Sequence, residues 1–176
     1  MGRVTIGIDL SKPLETLWRE IPRKRRGDIR RAERRGVTVE MDSHYGGFRG
    51  IYRGTRKELN LPPWDISRRE MESCKLFVAL DSDGEVVAGE AFMFCKRRMR
   101  IKHVASKRYD PEKRNIAGIA HALLVWEAVK WGKKKGSFDY YDFGGYNPDG
   151  YANNIDVTTI NAWKTGFGGS IIEKVC

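Results

Sequence analysis

Apolar residues fall at helical spacing through the first third of the chain. Leu14, Leu17, Trp18 and Ile21 share one face of a short helix that Ser11 can cap, with Pro13 in its first turn. Residues 22–36, "PRKRRGDIRRAERRG", predict a second helix stopped at Gly36. The period then drops to two in "VTVEM" (37–41), the alternation of a half-buried strand. Between 44 and 59, Phe48, Ile51, Tyr52 and Leu59 restore helical spacing, although Gly46, Gly47, Gly50 and Gly54 each weaken that helix by up to about 1 kcal/mol. "LPPW" is a break, and 64–73 predicts another short helix.

The middle of the chain switches to strands. "KLFVAL", the turn "DSDG" (81–84) and "EVVAGEAFMFC" (85–95) form a hairpin, which "MRIKHVAS" (99–106) extends to an antiparallel meander. The strongest helical pattern covers 117–135, with lysines at its C-terminal end and Gly136 as its stop. "FDYYDF" (138–143) predicts a strand, and the glycine- and asparagine-rich "GGYNPDGYANN" a loop. Then come a short helix capped by Asp156 and a last strand, "SIIEKVC". No repeat or low-complexity tail interrupts this order. The expectation is α+β, an α/β three-layer arrangement with a mixed, mainly antiparallel sheet flanked by helices, and residues 1–176 as one domain.

Charge changes the picture at one place. Of a net charge of +10, a local +6 lies in 22–36, where eight basic residues face two acidic ones. Such a run concentrates polyanions and suits RNA or nucleotide phosphates; a solvated helix face is the plainer account. Arg25, Arg26, Arg30 and Arg31 are its candidate RNA contacts. Three cysteines without a C-x-x-C pair and three histidines lead us to expect reduced thiols and no metal site. With no signal-peptide run and no stretch of about 18 apolar residues, a cytoplasmic protein without a membrane span is expected.

The helix at 117–135 is preceded by "RNIAGIA" (114–120), where small residues beside unpaired helix amides can hold a pyrophosphate. Here the sequence resembles the GNAT acyltransferase superfamily, whose acyl-CoA motif is Gln/Arg-x-x-Gly-x-Gly/Ala; the match is Asn115-x-x-Gly118-x-Ala120. The resemblance implies a donor phosphate site of Asn115, Gly118 and Ala120, clamped by Arg108 and Arg114. Close packing of the helix on the sheet explains the same glycine and alanine.

A second resemblance covers most of the chain. "LLVWEAVKWGKKKGSFDYYDFGG" (123–145), followed by "AWKTGFGGSIIEKV" (162–175), is similar to the end of Fem-type peptidoglycan-bridge aminoacyltransferases, a GNAT-like family. Those proteins carry a Leu-Leu-x-Trp-Glu helix, a Tyr-Asp-Phe/Leu-x-Gly strand end and a Phe-Lys-x-x-Phe-Gly-Gly segment. "RKRRGDIRRAERRGVTVE" is similar to their arginine-rich helix and strand. The resemblance implies transfer of an aminoacyl group from aminoacyl-tRNA to an amine of a peptide or cell-wall precursor, with no cofactor. It maps the transfer-site lysine onto Lys164, to stabilise an oxyanion or the leaving ribose hydroxyl. The glycines at 166, 168 and 169 are expected to let the turn pass under the substrate.

Asp142, at a strand end before Gly144 and Gly145, is either a carboxylate that orients or deprotonates the acceptor amine or a turn aspartate capping local amides. Tyr141, Tyr146, Tyr151 and His103 are lesser candidates for acid, base or stacking roles, and Glu127 for a buried structural carboxylate. The family's proteins have two such domains and often a helical arm, so a homodimer is the expected way to restore a missing half. An acyl-CoA-dependent N-acyltransferase, with acyl-CoA on the 114–120 segment, is the first alternative. A non-catalytic RNA-binding module is the second.

Overall fold

The computed structural model describes residues 4–146, 151–152, 155–156 and 158–173. Its strands are β1 (Val4–Asp9), β2 (Thr38–Met41), β3 (Lys75–Leu80), β4 (Val86–Cys95), β5 (Arg98–Ser106), β6 (Tyr140–Gly145), the two-residue pair β7 (Tyr151–Ala152) and β8 (Ile155–Asp156), and β9 (Ser170–Glu173). Its helices are α1 (Leu14–Glu20), α2 (Arg23–Arg34), α3 (Tyr45–Glu58), α4 (Arg68–Glu72), α5 (Arg114–Lys135) and α6 (Thr158–Thr165). Seven strands pair in the order β2-β3-β4-β5-β6-β1-β9. The sheet is open and mixed: β5 and β6 run parallel, whereas β1–β6, β1–β9, β2–β3 and β3–β4 are antiparallel. The α+β class expected from the sequence is thus observed.

Four local differences from the sequence expectation have physical reasons. Strand β1 was not expected, because Thr5 to Ile8 are buried on both faces and "VTIGID" therefore shows no polar alternation. Ser11 does not cap α1; its hydroxyl donates instead to Asp9 Oδ1 at 2.7 Å, and Pro13 precedes the helix. The helix expected over 64–73 contracts to α4, where Ser67 accepts from the Glu70 amide at 3.1 Å. Helix α5 begins three residues early, at Arg114. The capping role expected of Asp156 lies outside the described side chains, as do Tyr151 and the rest of the loop at 147–150 and 153–154.

The chain divides into two compact units. One comprises Gly27–Met93 and Lys102–Ala128. Its core gathers Phe48, Ile51 and Tyr52 from α3 with Leu76, Val78 and Leu80 from β3, and Ile66, Met71 and the free thiol of Cys74 close it. The buried Glu90 carboxylate meets His121 Nε2 at 2.9 Å, which pairs two buried polar groups. His103 packs edge-on against Tyr52 and contacts Glu70 at 3.1 Å, and burial lowers its pKa.

The other unit comprises Met1–Arg26, Phe94–Ile101 and Val129–Cys176. Here β1 lies between β6 and β9, and the start of β5 pairs with β6 through Arg98↔Tyr140 and Arg100↔Asp142. Cys95 is disulfide-bonded and Cys74 is free, so the expectation of reduced thiols holds for Cys74 and not for Cys95. No helix among the described residues is long and apolar enough to cross a membrane.

The bare backbone of the "GFGG" segment is explained within this unit. Gly168 has φ +78°, and a Cβ on it would lie 2.7 Å from the Glu20 carbonyl oxygen, at the end of α1. Gly168→Ala therefore combines left-handed strain, roughly 1–2 kcal/mol, with a clash against backbone that cannot swing aside. We expect it to lower the unfolding free energy by about 2 kcal/mol or more in urea titration. A loss below about 0.5 kcal/mol would show that the segment can move away from α1.

Candidate active site

The site grows from the end of β6. Asp142 belongs to a strand whose residues 141–144 are all buried, and its own exposure is 1%. A carboxylate so placed needs partners. Thr5, fully buried on β1, supplies one: its Oγ1 lies 2.5 Å from Asp142 Oδ1 and 2.7 Å from the Gly144 carbonyl oxygen. A hydroxyl has a single proton, so it donates to one of these acceptors at a time. The Gly144 amide donates to Asp142 Oδ1 at 2.8 Å. That bond requires Gly144 to turn into the left-handed region, at φ +77°, a conformation glycine adopts without penalty.

The same turn aims two carbonyls at a lysine. Lys164, in the last turn of α6, donates from Nζ to the Gly145 carbonyl and reaches that of Gly144 at 3.4 Å. Burial removes water from the ammonium and lowers its pKa to about 8; the Asp142 charge pulls the other way, and Arg100 adds a smaller push downward. The Arg98 guanidinium sits 3.9 Å from Asp142 Oδ2, donates to the Glu173 carbonyl and lies 5.2 Å over the Tyr140 ring. Three aromatic rings back this polar row. Phe143 meets Trp163 edge-on at 5.6 Å and Phe167 stacked at 5.7 Å, and the Arg25 guanidinium lies 4.7 Å from the Phe167 centroid.

Chemically, this is a desolvated cation held beside a buried anion. An ammonium has three N–H donors, and among the described residues two carbonyls engage two of them. It can neutralise a developing oxyanion without reorganising. Asp142 is less suited to proton abstraction, because one oxygen is held by Thr5 and Gly144 and the other faces Arg98. Among the described residues no group of three or more His, Cys, Asp or Glu has metal-binding geometry.

The structure brings together Lys164 and Asp142 and adds Thr5 and Arg98, which the sequence reading missed. Thr5 gave one signal, a polar residue inside an apolar, β-branched run. The expected donor-phosphate residues belong to the other unit. Arg108 is exposed in the 3₁₀ turn Lys107–Tyr109, and Arg114 Nε donates to its carbonyl at 3.0 Å. Asn115 is exposed, but Gly118 and Ala120 lie inside α5 rather than before it, and Ala120 is fully buried. Their amides belong to the helical ladder, so the unpaired N-terminal amides are those preceding Ala117, whose own amide bonds to Lys113 O at 2.8 Å. Lys113 is taken up by Asp81 and Glu85. On α2, Arg31 pairs with Asp28 at 3.0 Å, Arg30 is exposed, and Arg26 is partly buried.

The fold has counterparts among solved structures. The fold is similar to that of FemX. That likeness has a TM-score of 0.79 at 17% identity, over 99% of this chain and 60% of FemX. The fold is also similar to that of L-PGS from Bacillus licheniformis, with a TM-score of 0.64 at 16% identity, over 97% of this chain and 57% of L-PGS. The chain therefore spans about 60% of the length of FemX. No protein-family model matches the sequence, and no curated protein sequence matches it.

Proposed function

We propose that this chain is a Fem-like aminoacyltransferase that moves an aminoacyl group from aminoacyl-tRNA to an amine of a peptide or cell-wall precursor, without a cofactor. The observation that carries the reading is the Lys164 ammonium, desolvated to a pKa of about 8 and fixed on the Gly144 and Gly145 carbonyls beside Asp142. The Fem-like fold and the Lys164 segment support it together. The basic face of α2 supports RNA as the carrier.

In the proposed reaction the acceptor amine attacks the ester carbonyl carbon, and the carbonyl electrons move onto oxygen. Lys164 donates to that oxyanion, with Asp142 keeping the lysine charged rather than acting as base. Collapse re-forms the carbonyl, breaks the bond to the ribose oxygen and leaves the amine's proton on that oxygen. Positioning and electrostatics supply the acceleration. The acyl-CoA alternative would use Arg108, Arg114 and Asn115 instead.

A donor assay separates the readings. Purified protein is given a mixture of peptide amines with either radiolabelled aminoacyl-tRNA or acetyl-CoA. Product from aminoacyl-tRNA alone is expected. Product from acetyl-CoA alone would replace this reading with the first alternative, and tRNA binding without product from either donor would favour the RNA-binding module.

A further inference from the structure

We propose that the groove behind the C-terminal end of α3 is a docking site for single-stranded RNA, with Trp64 as its base-stacking platform. The proposal rests on RNA being the donor's carrier and adds a contact surface distinct from α2. The groove, of about 580 Å³, has the size of a ligand site. Arg53, Arg56, Lys57, Asn60 and Trp64 line it, with one carboxylate, Asp65, against three cations.

Trp64 is 60% exposed, so its ring is open to a ligand. Its loop is nevertheless tied down. The Leu61 amide donates to Arg56 O at 2.9 Å, Arg56 Nε to Pro62 O at 2.9 Å, and the Trp64 amide to Pro62 O at 2.7 Å. Asp65 accepts from Arg49 Nε at 2.8 Å and also from Arg53. Arg56 is held in addition over the Tyr52 ring at 5.7 Å. The backbone that carries the indole is thus on a fixed support, and Arg53 and Arg56 of the same groove are held in place. Arg53, Arg56 and Lys57 outnumber the one Asp65 carboxylate, which leaves the groove net positive.

An exposed π-face that shares a groove with three cations can take an unpaired base and its neighbouring phosphates. Duplex RNA keeps its bases stacked on one another and offers the indole nothing.

The test is fluorescence anisotropy of a labelled six-nucleotide single-stranded RNA and of a duplex of equal length, titrated with wild type, Trp64→Ala, Trp64→Phe and Lys57→Gln. Trp64→Ala is expected to weaken single-strand binding about tenfold or more, with Trp64→Phe retaining most of it and duplex binding unchanged. Lys57→Gln should lower the salt slope by about one. Thermal melts of the variants within a few degrees of wild type verify folding, as expected for exposed side chains. Unchanged single-strand binding by Trp64→Ala would overturn the proposal, whether the groove then serves a protein or nothing. Absence of RNA binding by the wild type would also overturn it. If transfer from aminoacyl-tRNA persists in that case, the donor reading survives; if transfer is absent too, both fall.

Discussion

Lys164→Met is expected to lower kcat for aminoacyl transfer by about 10²- to 10³-fold, the loss that follows removal of one preorganised oxyanion donor. Methionine keeps the volume of the stem and removes the charge, so the fold should persist. The pH profile then decides which form of the lysine works. Its pKa is lowered to about 8 by burial, so the ammonium is depleted as pH rises through that value. If the ammonium is the working form, kcat falls across that range, and Lys164→Arg, whose guanidinium stays protonated, abolishes the falling limb. A kcat that rises through pH 8 would make the neutral amine a base and sink the oxyanion role.

Stability gives an independent reading of the same group. The unfolded lysine titrates near 10.5 and the folded one near 8, so between those values the unfolded chain binds more protons and stability rises with pH. The cost of the desolvated ammonium is fully present below about pH 8 and is relieved above it. Urea titrations of wild type and Lys164→Met from pH 7 to 10 should show the wild type gaining on the variant as pH rises. A constant difference would mean that Lys164 is solvated in the folded protein.

Much of this site was legible in the sequence because it is carried by local pattern. Lys164 and Asp142 sit in segments whose glycines and aromatics are distinctive, and the hairpin of β3 and β4 follows from alternation and a turn. What stayed hidden is non-local. Thr5 is 137 residues from Asp142, and nothing in "VTIGID" says which strand it will pair with. Arg98 was equally silent, since its approach to Asp142 depends on the parallel register of β5 against β6. The segment 114–120 differs from expectation for another reason: helix propensity in "RNIAGIA" outweighed the glycine, so that α5 begins at Arg114 and includes Gly118 and Ala120.

Asp142→Asn tests whether the buried carboxylate acts through Lys164. Asparagine keeps an oxygen for the Gly144 amide but removes the negative charge that holds the lysine pKa up. The falling limb of kcat should therefore move to lower pH, and activity at pH 7 should drop on the order of tenfold or more. A fall in kcat with the limb unmoved would give Asp142 a direct part in proton transfer instead. Thr5→Val removes only the hydroxyl, and at a fully buried position it should cost about 1–2 kcal/mol of stability. The double variant of Thr5→Val with Asp142→Ala, which removes both carboxylate oxygens, then shows where the single proton of Thr5 goes. If it bonds the Asp142 carboxylate, the two substitutions share one interaction and their stability costs fall short of additivity by about 0.5 kcal/mol or more. Additive costs would place that proton on the Gly144 carbonyl. In that case Thr5 fixes the turn that seats Lys164, and Thr5→Val should lower kcat without moving the limb.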